Sequence, residues 1–477
     1  MALVIAAVLL AFAIALLPLT WVMLFVVGSM VVVVTLVQPQ VGLLLLVLAV
    51  PFGSLRQVGL GVMNVGMSEA MVTLVLIAWV MRMVARREIR IAWPPLTLPL
   101  TIFLGVLCLS LLGATSLQHG LKEVLKWAEV LALYIFVANE LEGRWSRALI
   151  FVLLGTGALA ALQGIYQFLF QVGPAEFVLF GRFMRAYGTF AQPNPYAGYL
   201  GLTLPLAVGL VFAAVVPMRE RVKGWWLVWT VACGALMLVA LVMSWSRGAQ
   251  IGFAAAVAAM AIAIVARSGR AAILGATFAV LLVYLLLVGG ISIVPATILQ
   301  RFSDFVPYIG VADVRGLEVT DANFAVLERM AHWQSALEMW TDRPWLGVGI
   351  GNYEPAYGRY ALPQWPLALG HAHNYYLNIA AESGVLGVGA YLFLWVTALV
   401  GAYRGTRHTT GWQWGIALGI LGVLVHLSVH NIFDNLYVHA MYVQVAILLG
   451  IGAAHGRERW MGAQSLQRRA QLVGGHR

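Results

Sequence analysis

The chain has 477 residues, of which 62% are hydrophobic and only 10% charged, and its mean hydropathy is +0.89. These values exclude a soluble globular protein. They leave an all-α polytopic membrane protein, because about 20 apolar residues cross a bilayer as a helix and such runs recur from end to end, whereas a β-barrel shows shorter alternating segments.

The formal net charge of +10 does not point to nucleic acid, because the bases gather beside apolar runs. Arg82, Arg86, Arg87 and Arg90 follow one run; Arg144 and Arg147, then Arg219, Arg221 and Lys223, separate others. Arg267 with Arg270, Arg404 with Arg407, and finally Arg457, Arg459, Arg468 and Arg469 complete a series that falls at every second crossing, the positive-inside pattern. The N-terminus lacks the basic region of a signal peptide and is read as a first span. Cys108 and Cys233 stand alone in apolar runs, so neither a disulfide nor a metal site is expected and both read as small core residues.

In chain order, spans are expected at about 3–17, 19–37, 41–52, 68–84, 96–113, 121–139 and 147–171. The sixth carries Lys122, Glu123, Lys126 and Glu129, and Lys126 is expected to pair with Glu129 three residues on, with substrate contact as the alternative. A polar interval follows with Arg182 and Arg185 and then Phe190-Ala-Gln-Pro-Asn194-Pro-Tyr-Ala-Gly198, where Asn194 is placed to cap a helix beginning at Pro195. Spans at about 196–216 and 225–243 lead to Ser244-Trp-Ser-Arg247-Gly248, a tight turn before a span at about 249–266. The helix macrodipole disfavours an arginine at such a start, so Arg247 is expected to serve a ligand or a buried acid, and its planar fork suits a diphosphate.

After a span at about 271–291 comes the longest polar interval, residues 292–370. Loops of that length are usually functional. Helical periodicity over 324–341 lays Arg329, Trp333, Leu337 and Trp340 on one face. The glycines of Asp342-Arg-Pro-Trp-Leu-Gly347-Val-Gly349-Ile-Gly351 lack the strand and helix of a nucleotide loop and are read as a close backbone approach. Glu318, Asp321 and Glu328 are too loosely spaced to argue for a metal.

The last spans are expected at about 374–402, 412–430 and 436–454, giving about 12–14 in all with both termini cytoplasmic. The first of these opens with His371-Ala-His373-Asn374, and Asn374, Asn378 and Glu382 would form a polar stripe that lipid does not tolerate. His373 stands at its mouth, where an imidazole can exchange a proton near neutral pH. Between the last two spans, His430, Asn431, Asp434 and His439 share a short polar loop, read as solvated in preference to a metal site or, for Asp434, as orienting a catalytic histidine.

His373-Asn374, nine residues, then Gly384-x-x-Gly387 resembles the signature of the O-antigen ligase and polymerase superfamily. The Pro-Asn, Ser-Arg-Gly and Asp-Arg-Pro segments above resemble further elements of it. The resemblance covers roughly residues 180–450. It implies a glycosyltransferase of the bacterial cytoplasmic membrane that moves a glycan from undecaprenyl diphosphate to an acceptor hydroxyl on the outer face, with inversion and without a cofactor or metal. The acceptor would be lipid A-core for a ligase, the narrowly preferred reading, or a second lipid-linked glycan for a polymerase. His373 and Arg247 would be catalytic, and Arg329, Arg182, Arg185, Asn194, Asn374 and His371 would bind substrate in a basic outer pocket. The organisation expected is N-terminal spans over 1–171, central spans with the arginine elements over 172–291, an outer loop over 292–370, C-terminal spans over 371–455 and a basic tail over 456–477. A solute transporter or a scaffold remains as an alternative of another class.

Overall fold

Long Leu, Val and Ala runs without interior charge satisfy their backbone groups within one helix, as a bilayer interior requires. The computed structural model describes residues 18–53, 57–60, 63–89, 91–179, 181–216, 224–267, 313–320 and 323–454. The spans expected at about 3–17 and 271–291, and the tail, lie outside the described residues. In chain order the helices and strands are α1 Leu19–Val37, α2 Pro39–Phe52, a hairpin of β1 Gln57–Leu60 and β2 Met63–Gly66, α3 Met67–Arg86, α4 Thr97–Ser110, α5 Leu117–Glu140 and α6 Arg144–Phe170. A two-residue hairpin, β3 Val178–Leu179 with β4 Phe183–Met184, precedes α7 Pro193–Gly201, α8 Leu204–Val215, α9 Trp225–Met243 and α10 Arg247–Val265. Then follow α11 Phe324–Asp342, α12 Tyr353–Tyr360, α13 Tyr375–His408, α14 Gly411–His430 and α15 Met441–Ala454.

The chain is an all-α polytopic membrane protein. Among the described residues eight helical segments are long and apolar enough to span a membrane, and α2, α4 and α15 are shorter apolar helices. Helix α14 is central, packed against α8, α10 and α13. Its most apolar window is 72% buried, whereas that of α1 is 6% buried, so α1 presents its side chains outward. Two sequence expectations are corrected. Lys126 pairs with Glu123 rather than Glu129, because the Glu129 carboxylate accepts the Tyr442 hydroxyl at 2.8 Å instead. Cys108 lies on the exposed side of α4 and only Cys233 is a core residue.

The feature that organises the functional half is a break in α13. Gly384 sits at φ 62°, ψ −163°, a conformation essentially closed to other residues. The polar groups freed there are taken up by the Asp-Arg-Pro segment: Val348 N–H donates to Ala381 O at 2.9 Å, and Val385 N–H donates to Pro344 O at 2.8 Å. Contact is backbone to backbone, since a Cβ on Gly384 would lie 2.3 Å from the Trp345 carbonyl carbon and one on Gly347 2.3 Å from Ala381 O. Arg343 donates to Gly113 O at 2.6 Å, tying the same segment to the α4–α5 turn. Glycines of two distant motifs thus serve one contact. Gly384→Ala is expected to cost roughly 1–3 kcal/mol in strain alone, more with the clash, and to lower the melting temperature in detergent; a melt indistinguishable from the parent protein would contradict this.

Candidate active site

The loop before α13 is held at three points. Ala372 N–H donates to Asn378 Oδ1 at 3.0 Å. Asn374 caps the helix, its Oδ1 accepting from the Tyr376 and Leu377 amides at 3.0 and 3.1 Å. Tyr375 N–H donates to Asn431 O at 2.8 Å, joining the loop to the end of α14. Between these anchors His373 takes a left-handed φ of 51°, uncommon for a residue with a Cβ. Asn431 also receives the Leu436 amide on its Oδ1 at 3.1 Å, which shapes the loop carrying Asp434.

His371 and His373 converge on Asp434. Its Oδ1 lies 3.6 Å from His373 Nδ1 and 3.9 Å from His371 Nε2, and the aspartate is 5% exposed. Burial alone would raise the Asp434 carboxyl, but His373, His371 and Arg329 together hold it well below the usual carboxylate range. Burial pushes His371 down to about 4, against the opposing pull of Asp434. His332 of α11 lies behind His373, the ring centroids 5.9 Å apart. It is 1% exposed and stacked on Tyr357, and burial followed by the repulsion of His373 brings it to about 4.

These groups open on a cavity of about 830 Å³. One side carries Arg329 and Glu328 of α11, His371, His373, Asp434 and His439. The other carries Lys122, Glu123 and Lys126 of α5, Glu69 of α3 and Glu382 of α13. Glu382 is buried and accepts the Tyr353 amide at 2.9 Å, so it also fixes the start of α12. Carboxylates are at least as prominent as cations in this wall, and it is not the uniformly basic pocket expected.

Of the residues singled out in the sequence, the structure brings His371, His373 and Arg329 to the cavity. Asn374 shapes the loop as a cap. Asn194 is not a cap: the helix begins at Pro193, one residue after Gln192, and Asn194 Oδ1 accepts from Arg185 Nη2 at 3.0 Å. Arg185 Nε also donates to Ser244 O at 2.9 Å, so this arginine fastens the β3–β4 region to the α9–α10 turn. Arg182 lies over the Phe183 ring at 5.2 Å. Arg247 opens α10, and its neighbour Gly248 packs on the loop after α14, where an added Cβ would lie 2.9 Å from the His430 ring. Arg182, Arg185, Arg247 and Asn194 do not line the cavity. His332 escaped the sequence reading, although it stands three residues after Arg329 on one helical face; nothing in the pattern marks its burial.

Residues 232–392 match the family described as O-antigen ligase, a stretch that takes in most of α9, then α10, α11, α12 and the first half of α13, with Arg247, Arg329, His371 and His373. No curated protein matches the chain. About a third of the chain thus resembles the O-antigen ligase family, a likeness that supports a membrane glycosyltransferase-like function.

The unfolded chain takes up protons at His332 and His371 near pH 6.5, whereas the folded chain does so only at about 4. The unfolded state therefore binds more protons across that window, and stability present above pH 6.5 should drain away as pH falls towards 4. A melting temperature flat from pH 6.5 to 4 would contradict the buried neutral state. Arg185→Ala should lower the melting temperature by severing both struts, while Arg329→Ala should leave it nearly unchanged; the reverse ranking in a thermal-shift assay would refute these placements.

Proposed function

We propose that the protein is a glycosyltransferase of the bacterial cytoplasmic membrane that transfers a glycan from undecaprenyl diphosphate to an acceptor hydroxyl, best read as an O-antigen ligase acting on lipid A-core. The observation that carries the reading is the meeting of His373 and Arg329, from two elements of the matched segment, on one side of a cavity that also holds buried carboxylates. The acceptor oxygen attacks the anomeric carbon from the face opposite the diphosphate, the new C–O bond forms as the old one breaks, and the configuration inverts. His373 takes the acceptor proton, a role typically worth about 10²–10⁴ in rate. Arg329 faces the departing diphosphate, where a preorganised cation contributes about 3–4 kcal/mol to the transition state.

The long polar interval and the cavity face away from the cytoplasm in this reading, which the arginine clusters at alternate crossings support. Both termini then lie on the cytoplasmic side. Arg182 and Arg185 order the hairpin before α7. A polymerase performs the same bond exchange with a second lipid-linked glycan as acceptor.

The test is transfer by the purified protein from an undecaprenyl-diphosphate glycan, with lipid A-core or no second acceptor, products being resolved by size. One addition to lipid A-core is expected; a ladder on the donor lipid would establish the polymerase instead. His373→Ala and Arg329→Ala should each lower transfer by at least about 10² while the protein still inserts. Full activity in either would remove that residue from the mechanism, and solute uptake without any donor turnover would overturn the reading in favour of a transporter.

A further inference from the structure

From the buried hydroxyl of Tyr375 and the polar face of α5 on the same cavity we infer a second subsite, one that binds the hydroxyls of an uncharged sugar ring in the transferred glycan or in its acceptor. The inference rests on the transferase reading above. It concerns α5, which lies outside the matched segment 232–392, together with a tyrosine inside it.

His119, Lys122, Glu123 and Lys126 stand at i, i+3, i+4 and i+7 of α5, so one face of that helix carries them, and all four line the cavity. Charged groups at such a place in a membrane protein face its interior because lipid does not accept them. Part of the stripe is fixed. Lys126 pairs with Glu123 and donates to Tyr437 O at 3.3 Å, and the Glu123 stem packs on Gly351, where an added Cβ would lie 2.8 Å from its Cγ. Glu69 at the start of α3 and Glu382 of α13 join Glu123 on this wall, so carboxylates outnumber the ammonium groups of Lys122 and Lys126 there.

Ion pairing within the bundle would account for those charges, but it does not account for Tyr375. This residue also lines the cavity and is 4% exposed, yet its hydroxyl has no hydrogen-bond partner in the protein. The rings of Tyr391 and Tyr437 lie 5.1 and 4.5 Å from its own, and their hydroxyls bond each other at 3.0 Å instead. The charges of Glu123 and Glu382 act on the Tyr375 hydroxyl, which sets it towards the α5 wall. A buried hydroxyl left unpaired costs stability, and a ligand that completes it removes that cost.

Sugar hydroxyls both donate and accept. Carboxylates accept, ammonium groups donate and a phenol does either, so this set matches a polyol. Its excess of carboxylates opposes a phosphate or a uronic acid, which leaves a neutral sugar as the fitting ligand. In the proposed reaction the diphosphate lies at Arg329, on the other side of the cavity.

Tyr375→Phe removes the hydroxyl and keeps the ring. In the ligand-free protein it relieves an unpaired group, so the melting temperature should hold or rise. Binding of an undecaprenyl-diphosphate-linked neutral hexose glycan, followed by native mass spectrometry without acceptor, should weaken roughly 3- to 10-fold, while bare undecaprenyl diphosphate binds as it does to the parent protein. That pattern places the donor glycan in the subsite. If the ring belongs to the acceptor, donor binding stays put and the acceptor KM rises by the same factor, with a smaller effect on kcat. Glu123→Gln should narrow the preference for the neutral glycan over one bearing glucuronic acid.

A lower melting temperature in Tyr375→Phe would overturn the inference, since the hydroxyl would then have a structural partner. Unchanged donor Kd together with unchanged acceptor KM would overturn it as well. A parent protein that binds the glucuronic acid glycan as tightly as the neutral one would refute the uncharged ligand. Should the parent transfer nothing, saturation-transfer NMR with the free neutral glycan decides: a weaker signal in Tyr375→Phe counts against the transferase reading alone, and equal signals overturn the subsite too.

Discussion

A helix inside a bilayer cannot leave its backbone amides and carbonyls unpaired, and the break at Gly384 would do so were it not filled by another segment. That constraint governs the functional half of the molecule. Pro344, Trp345 and Val348 meet the broken turn, Arg343 pins the segment to the α4–α5 turn, and Glu382, one helical position before the break's Ser383, accepts the first amide of α12. The segment over 343–353 is therefore seated on α13 rather than draped over it. From that seat α11 packs against α13 and presents Arg329 to His373.

The same rigidity accounts for the electrostatics. Three histidines and one aspartate sit close together, an arrangement that would be costly if all were charged. The conflict is resolved by division of labour. His332 is kept neutral behind its tyrosine, with Tyr353 OH donating to its carbonyl at 3.1 Å and accepting from its Nδ1 at 2.9 Å. His371 is kept neutral by burial, and Asp434 alone holds a permanent charge among the four. An ionised aspartate beside a poised imidazole can help take up a proton, which is what an acceptor hydroxyl must lose. Arg329 supplies the complementary charge for a leaving group.

Much of this was legible in the sequence because membranes impose a coarse code. Apolar runs gave most spans, and the clean break between Met243 and Arg247 was visible in Ser-Trp-Ser-Arg-Gly. The amphipathic stretch over 324–341 predicted α11 to within a residue. His373 and Arg329 were picked out by motif and face, and they do share a cavity. What the sequence concealed were partnerships between distant residues. Nothing local says that Lys126 prefers Glu123 once Tyr442, far along the chain, claims Glu129. Asn194 looked like a helix cap because its neighbours are prolines, yet Arg185 draws its oxygen away. Arginines were grouped by charge and expected side of the membrane, whereas packing committed Arg185 to carbonyl and amide partners. The glycines of the Asp-Arg-Pro segment read as a close backbone approach, which they make, but nothing in the sequence named the turn at Gly384 as the partner.

In the proposed reaction one cavity receives a lipid-linked diphosphate with His373 and Arg329 on its walls. The most direct measurement is a structure of the protein with an undecaprenyl-diphosphate glycan bound. The diphosphate is expected within hydrogen-bonding reach of the Arg329 guanidinium, with the first sugar's anomeric carbon turned towards His373. A diphosphate held instead against Arg182 and Arg247, with the cavity beside His373 left to solvent, would contradict it.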